Sequence, residues 1–166
     1  MVCQKNLERA DKMNDKWSEF IHEEDLEIAG IVICLNKDRQ FLIIRRSKTD
    51  PKGRGGQWTI PGGHIDSEDN SIEKGAVREL KEETGLSCNI SDLTYLGEPK
   101  KGKYYFLTLN WVGAVDVNIP NPKTGVIEHD SYKWADIKEI KGIENTEIPI
   151  YLLEEALQTL GFNDNG

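Results

Sequence analysis

The chain has 166 residues, of which 37% are hydrophobic and 30% are charged, and its formal net charge is −8. This length predicts one domain over residues 1–166 with a sizeable core, and the acidity argues against nucleic acid or an anionic membrane as a partner bound by bulk charge. Because no apolar run is long enough to span a bilayer, and because the odd, unclustered cysteines (Cys3, Cys34 and Cys88) indicate free thiols, we expect a cytoplasmic protein.

The first predicted elements are an arm and several strands. Residues 1–23 have a partly periodic set of apolar side chains and are expected to form a short helix or an extended arm, against the domain or a partner subunit. Residues 28–35 are rich in β-branched side chains and predict a buried strand. After a polar turn, residues 40–45 predict a second strand that pairs with the first as a hairpin. A loop over residues 47–56 and a short strand over residues 58–60 follow.

The next element is the best marked in the chain, an amphipathic helix that ends at Gly85. Either Asn70 or Ser71 can cap its N-terminus, and Asn70 with Glu73 has the spacing of a capping box. Gly85 supplies the left-handed residue that ends many helices. One face carries an apolar stripe, formed by Ile72, Ala76, Val77 and Leu80.

The last turn of this helix is crowded with Glu79, Glu82 and Glu83. A helix C-terminus carries partial negative charge and prefers cations by roughly 0.3–1 kcal/mol per exposed charge, and like charges three or four residues apart repel each other. At about 100° per residue the three side chains share a face, so their oxygens can converge. Such hard oxygen donors suit Mg²⁺ or Mn²⁺ rather than zinc. The alternative is a solvated acidic face balanced by Arg78.

Further strands and a final helix are predicted after this point. Strands are expected at residues 89–90, 93–96, 104–115 and 132–134. The final helix is expected over residues 148–160, with leucines and an alanine along its apolar side. Mixed strands surrounded by helices predict an α/β protein with an α/β/α sandwich architecture.

Residues 62–86 resemble the sequence motif of the Nudix hydrolase superfamily. The second half of that motif matches in full, as Arg-Glu-Leu-Lys-Glu-Glu-Thr-Gly-Leu at residues 78–86. The first half is one residue longer than the family spacing. Counting back from the arginine puts Asn70 at the position of the first glutamate of the motif, whereas an extra loop residue would bring Asp69 or Glu68 into that role.

The resemblance implies the Nudix fold, an α/β/α sandwich with a mixed sheet, and a Mg²⁺-dependent activity in which Mn²⁺ can substitute. The implied reaction cleaves the pyrophosphate bond of a nucleoside diphosphate linked to another moiety, as in ADP-ribose, nucleotide sugars or dinucleoside polyphosphates. The alternatives are a nucleoside triphosphate pyrophosphatase and a nucleotide-binding sensor without catalysis. A small-molecule nucleotide is therefore the expected partner, and members of this superfamily are often homodimers.

The same resemblance implies roles for the motif residues. Glu79 and Glu83 are expected to be metal ligands, and Glu82 a third or bridging ligand. The carbonyl of Gly62 is expected to add a backbone oxygen, which an ion can approach closely because glycine has no side chain. Arg78 is expected to orient Glu82 through a charge-assisted hydrogen bond.

The sequence also offers candidates for the general base and for contacts with substrate. The base is expected to be either a glutamate of the motif or Glu128, which lies in a Glu-His-x-x-Tyr-x-Trp run before the last strand. Arg45, Arg46 and Arg54 are candidates to bind phosphates. The alternative for these three residues is a solvated basic loop. Candidates to stack a base are Trp58 and Tyr104, whose alternative is a place in the core.

Overall fold

The computed structural model describes residues 27–50, 52–109 and 114–161, so the predicted arm over residues 1–23 lies outside the described residues. Single 3₁₀ turns occur at Ser67–Asp69 and Ile90–Asp92. The helices and strands of the described residues are, in chain order, β1 (Ala29–Cys34), β2 (Phe41–Arg46), β3 (Trp58–Thr59), β4 (Gly62–His64), α1 (Ile72–Thr84), β5 (Thr94–Tyr95), β6 (Lys103–Thr108), β7 (His129–Ala135), α2 (Ile137–Lys141) and α3 (Ile150–Thr159). Across these described segments, no helix is both long and apolar enough to cross a membrane.

The strands form two sheets, one in the order β4-β1-β6-β5 and the other in the order β3-β2-β7. β1 and β6 are parallel, and the other pairs of neighbouring strands are antiparallel, so the first sheet is mixed. The α/β architecture that the sequence predicts is therefore confirmed.

The predicted hairpin between β1 and β2 is wrong. The Asn36 side chain closes the turn between them by accepting from the backbone N–H groups of Asp38 and Gln40, and one bridge joins Leu35 to Phe41. Beyond that bridge the strands enter different sheets, where β1 pairs with β6 and β2 with β7. Both strands are buried on both faces, so distant partners are available to each of them.

Helices cover both faces of the sheets, and the alternation of side chains along β1 shows how. Val32 and Cys34 pack in the cluster beneath α1, whereas Ile33 and Leu35 pack in the cluster beneath α2 and α3. Successive side chains of a strand point to opposite faces, so one strand serves two cores. Each fully buried Leu, Ile or Val side chain contributes about 1.5–3 kcal/mol relative to its exposed state. This packing fixes α1, and with it the acidic turn, against β1 and β4.

The ends of α1 are set by local contacts. Ser71 is the N-cap and accepts from the backbone N–H of Lys74 at 3.0 Å, and Gly85 ends the helix with a φ of 75°. The predicted capping box of Asn70 with Glu73 is wrong, because Asn70 has a φ of 64° and ends the preceding 3₁₀ turn. Its left-handed conformation directs its amide to the Glu68 carbonyl instead.

Several predicted elements differ in extent or kind. Residues 89–90 lead into a 3₁₀ turn rather than a strand, because the Asp92 carboxylate accepts from the Asn89 backbone N–H and tightens the chain. The strand predicted over residues 104–115 ends at Thr108, with residues 110–113 outside the described residues. The α2 helix, a single short turn that Asp136 caps, was not predicted from the sequence.

Candidate active site

A cavity of about 470 Å³ lies beside the last turns of α1. Its lining residues fall within four segments, at positions 46–54, 62–64, 78–83 and 121–129. The glycines of β4 and the acids of α1 form one wall, the loop after β2 forms a second, and the segment that leads into β7 forms a third. Segments far apart in sequence therefore meet at one concave surface.

Glu83 and Glu79 form an acidic wall of this cavity. Glu83 Oε1 accepts from the Gly62 backbone N–H at 3.0 Å, and burial together with repulsion from Glu79 raises the pKa of Glu83 well above its usual range. Burial, opposed in part by Arg78 and reinforced by repulsion from Glu82, raises the pKa of Glu79 to about 7. Ionisation of both Glu79 and Glu83 therefore costs free energy, and a bound cation would offset that cost.

Arg78 is the cation that α1 places beside the acidic wall. Its Nε and Nη2 atoms donate to the two carboxylate oxygens of Asp69 at 2.6 and 2.9 Å. Its Nη1 atom donates to Glu82 at 3.0 Å and to Glu79 at 3.1 Å, and its Nη2 atom also donates to the His64 carbonyl at 3.0 Å. The guanidinium thus ties the loop before α1 to the acidic turn at its end, in the bidentate geometry that suits arginine.

Of the three candidates for the first acid of the motif, Asp69 is the one that contacts Arg78 in the described residues. Asp69 is buried, and five residues separate it from Gly63. The extra residue of the loop is taken up after it, at Asn70, in a left-handed conformation that asparagine tolerates. Glu68 has an exposed side chain.

Glycine is required at positions 62 and 63 by lack of space rather than by the sign of φ. A Cβ atom on Gly63 would lie 2.5 Å from Glu79 Oε2, and one on Gly62 would lie 2.6 Å from the carbonyl oxygen of Gly30. The first clash is with a site carboxylate and the second is with the backbone of β1. The backbone of β4 therefore runs directly against the acidic wall.

These clashes predict different outcomes for two matched variants. Gly63→Ala is expected to displace the Glu79 carboxylate and to lower turnover by about 10- to 100-fold in a chain that still folds. Gly62→Ala is expected to lower the free energy of unfolding by about 1–3 kcal/mol, because backbone must shift. Steady-state kinetics and thermal unfolding of both variants test this, and a Gly63→Ala variant with native turnover would contradict it.

The basic residues proposed from the sequence divide into two groups. Arg46 and Arg54 line the cavity together with Lys52 and Lys123, and Arg46 Nη2 lies 2.6 Å from Glu147. Arg45 does not line it: its Nε atom lies 2.7 Å from Asp130, on the other face of β2. Neighbouring residues of a strand point to opposite faces, so Arg45 and Arg46 cannot both reach the cavity.

The two aromatic candidates also lie away from the cavity. The Arg45 guanidinium lies over the Trp58 ring, with Cζ 5.7 Å from the ring centroid. Trp58 packs at the edge of the cluster under α2 and α3. Tyr104 packs at the edge of the other cluster. Among the described residues that line the cavity, none is Phe, Tyr or Trp. Both side chains are partly buried at the edges of the two hydrophobic clusters.

Glu128 and its neighbours complete the cavity wall. Glu128 is exposed, and the side-chain amide of Asn121 donates to it at 3.3 Å. Glu128 lines the same cavity as Glu79 and Glu83, and its repulsion adds to the raised pKa values of both. Lys123 reaches across to Asp66, with Nζ 2.8 Å from Oδ2. Lys123 was not predicted as a site residue, because no local sequence signal links residues that are 57 positions apart.

The donor chemistry of this wall fits a hard divalent cation, since its ligands are carboxylate oxygens whose charges repel one another. Within the described segments, however, no group of three or more His, Cys, Asp or Glu side chains is arranged to hold a metal ion. Arg78 Nη1 lies 3.1 Å from Glu79 and 3.0 Å from Glu82. Glu79 and Glu83, with Glu82 beside them, are the residues that would hold a metal.

The raised pKa of Glu79 predicts a pH-dependent response to metal. Its usual value is 4.5 and its folded value is about 7, so between these values the folded, metal-free chain binds more protons than the unfolded chain. The contribution of this group to stability is greatest below the lower value and falls as the pH rises toward the upper one. We therefore expect Mn²⁺ to raise the Tm at about pH 8 and to raise it less at about pH 5.

Thermal unfolding in EDTA and in Mn²⁺, at both pH values, measures this response. A variant with Glu139→Gln, which changes a carboxylate on α2 that pairs with Lys133, serves as the control and should keep the native pattern. Equal Tm values with and without Mn²⁺ at both pH values would contradict the prediction.

Comparison with known proteins agrees with this geometry. The NUDIX domain family model matches residues 26–154. The putative nudix hydrolase 1 of Caenorhabditis elegans is 31% identical over 124 residues, which are 73% of this chain but only 32% of that protein. The asymmetrical bis(5'-nucleosyl)-tetraphosphatase of Rattus norvegicus is 32% identical over 111 residues, which are 62% of this chain and 71% of that protein.

A solved structure has a similar fold. The MutT protein of Methanosarcina mazei superposes with a TM-score of 0.53 at 25% identity, over 80% of this chain and 91% of that one. The family match covers β1 through the first half of α3, including the Arg78-centred network and the acidic wall of the cavity. The chain therefore belongs to the NUDIX domain family.

Proposed function

We propose that this chain is a Mg²⁺-dependent hydrolase that cleaves the pyrophosphate bond of a nucleoside diphosphate linked to another moiety. The observation that carries the proposal is the convergence of Glu79, Glu83 and Glu128 on a cavity whose other walls bring arginine and lysine side chains. Carboxylates that repel one another suit metal ions, and the basic walls suit phosphates. Membership of the NUDIX domain family supports the same reaction class.

In this proposal the residues of α1 hold the metal. Glu79 and Glu83 are direct ligands, Glu82 is a third or bridging ligand, and the Gly62 carbonyl adds a backbone oxygen. When bound, a divalent cation would neutralise phosphate charge, polarise the phosphoryl group and activate water. Arg78 positions Glu82 and Glu79 through the two hydrogen bonds from its Nη1 atom.

We assign the general base to Glu128. It is exposed at the cavity, so it can exchange protons with solvent, and the Asn121 amide holds its carboxylate from one side. Glu79 and Glu83 are less suited to that task, because Arg78 and the Gly62 backbone N–H already engage them. A base in contact with solvent can release the proton that it takes from the attacking water.

The cavity also bears on the substrate class. Arg46, Lys52 and Arg54 provide charge for the phosphate chain. Val126 and Ile127 are exposed apolar side chains on the opposite wall and can cover the moiety beyond the phosphates. We propose that the substrate is of the ADP-ribose, nucleotide-sugar or dinucleoside-polyphosphate type. The tetraphosphatase name of the R. norvegicus relative agrees with the last of these.

The second candidate is a nucleoside triphosphate pyrophosphatase. It is favoured by similarity to a protein of Bacillus subtilis (strain 168) described as a putative 8-oxo-dGTP diphosphatase, which is 38% identical over 62 residues. The same carboxylates would serve this reaction. A nucleotide-binding sensor without catalysis is disfavoured, because Glu79, Glu82 and Glu83 are all present at the cavity.

A substrate panel assayed with Mg²⁺ and with Mn²⁺, with products identified by mass, tests the proposal. ADP-ribose should yield AMP and ribose phosphate, and a dinucleoside tetraphosphate should yield two nucleotides. A triphosphate cleaved to a monophosphate and pyrophosphate would favour the second candidate. Glu128→Gln should lower turnover without changing the products. No turnover of any substrate with either metal would overturn the proposal.

We also propose a cytoplasmic location and a homodimer. The two cysteines of the described residues, Cys34 and Cys88, are free thiols, which agrees with a reducing compartment. Sedimentation equilibrium of the full chain at several concentrations tests the dimer, and a monomer at all of them would contradict it.

A further inference from the structure

His129 is the first residue of β7, and it is buried directly against Glu83. The two side chains are 4% and 7% exposed, with His129 Nε2 3.3 Å from Glu83 Oε2. Among the described residues, Nε2 is buried and has no aligned hydrogen-bond partner. A buried N–H group without a partner costs about 1–3 kcal/mol. The carboxylate oxygen beside it is the acceptor that would satisfy it after a small rotation of either group.

The two oxygens of Glu83 lie beside two different donors. A ring proton on Nε2 of His129 lies on the side of Glu83 Oε2, 3.3 Å away. The other oxygen of Glu83 already accepts from the Gly62 backbone N–H at 3.0 Å. Each carboxylate oxygen would then have one donor, and each would keep a lone pair for another contact.

We propose that His129 is a positioning residue whose Nε2–H group holds Oε2 of Glu83, so that Glu83 presents its remaining lone pairs to a divalent metal in the cavity. The inference rests on the proposed metal-dependent function and concerns how one ligand of that metal is oriented. A donor of this kind fixes a carboxylate without neutralising it. His129 is the first residue of β7 and pairs with Arg46 of β2, where the register of the two strands shifts.

Two variants of the full chain separate donation from packing. His129→Leu keeps an apolar side chain in the buried space and removes the donor, whereas His129→Gln keeps an amide donor near the position of Nε2. We expect His129→Leu to weaken Mn²⁺ binding by about 10- to 100-fold and His129→Gln to recover most of that loss. Titration with Mn²⁺, followed by the paramagnetic resonance of the free ion, measures the affinity directly and without turnover.

A second measurement uses the native chain and so does not depend on the folding of a variant. Nitrogen-15 NMR of the histidine rings reports which nitrogen carries the proton, and the His129 signals are identified by their loss in His129→Gln. We expect a proton on Nε2. A proton on Nδ1, with Nε2 bare, would overturn the inference.

The outcomes distinguish this inference from the proposed function. If the native chain binds Mn²⁺ and the Leu variant binds it equally well, or if the Gln variant is as weak as the Leu variant, the positioning role is overturned and the metal-dependent function stands. If the native chain binds no Mn²⁺ and hydrolyses no member of the substrate panel, both are overturned.

Discussion

Replacement of Glu83 by glutamine is expected to lower turnover by at least about 100-fold while the chain stays folded. The amide keeps the shape of the side chain but removes the negative charge that a metal would require, and loss of a direct ligand should exceed the 10- to 100-fold effects typical of outer partners. Because burial raises the pKa of Glu83, the metal-free variant is expected to melt at the native temperature or above it. Turnover at saturating Mg²⁺ and thermal unfolding in EDTA measure both effects.

Glu73→Gln is the matched control for this variant. Glu73 lies in the first turn of the same helix, does not line the cavity, and accepts a hydrogen bond from the Tyr95 hydroxyl. Its replacement changes the net charge by the same amount and should leave turnover unchanged. Native turnover in Glu83→Gln at saturating Mg²⁺ would contradict the metal-ligand role of that residue.

Replacement of Arg78 by methionine is expected to cost the most stability. Asp69, 5% exposed, would lose the two hydrogen bonds that now compensate its buried carboxylate. Removal of one partner from a buried ion pair costs about 3–5 kcal/mol, and the partial exposure of Arg78 reduces this to about 2–4 kcal/mol. Since each kcal/mol shifts the Tm of a chain of this size by roughly 2–4 °C, the change is readily measured. Turnover should fall as well, because Glu79 and Glu82 lose a shared donor.

Two comparisons separate the network from a simple loss of charge. Arg78→Lys keeps the charge but cannot form the two parallel hydrogen bonds to Asp69, so it should fall between the native chain and the methionine variant. Lys133→Met breaks an ion pair with Glu139 in which both side chains are exposed, and such pairs contribute about 0–1 kcal/mol. An Arg78→Met variant no less stable than Lys133→Met would contradict the structural role of the network.

The α1 helix and its acidic turn were predictable because their signals are local. The apolar stripe recurs with the helical period, Gly85 supplies the left-handed end, and the glutamates are neighbours along one helix face. Proximity on a helix follows from spacing alone. The same reasoning gave the wrong N-terminal capping box, because Asn70 and Ser71 both satisfy the local preference and only the path of the preceding turn separates them.

The strand partners and the cavity walls were not predictable in the same way. A sequence pattern identifies β1 and β2 as buried strands but carries no information about which strand each of them pairs with. The positions of Arg45 and Arg46 were unpredictable for the same reason: the sequence made both arginines candidates for phosphate, and in the folded chain Arg46 lines the cavity and Arg45 does not.

The sequence alone was sufficient for the family motif and for the position of the carboxylates on α1, because both follow from spacing along a short stretch of chain. The order of predicted strands and helices was sufficient for the α/β class. The folded structure decided that Asp69 is the acid bound to Arg78, that Glu128 and Lys123 reach the cavity, and that His129 lies against Glu83. These contacts join segments far apart in the chain, and they exist only after the apolar faces of the strands and helices have packed. Long-range packing, unlike helix periodicity, depends on all the segments at once.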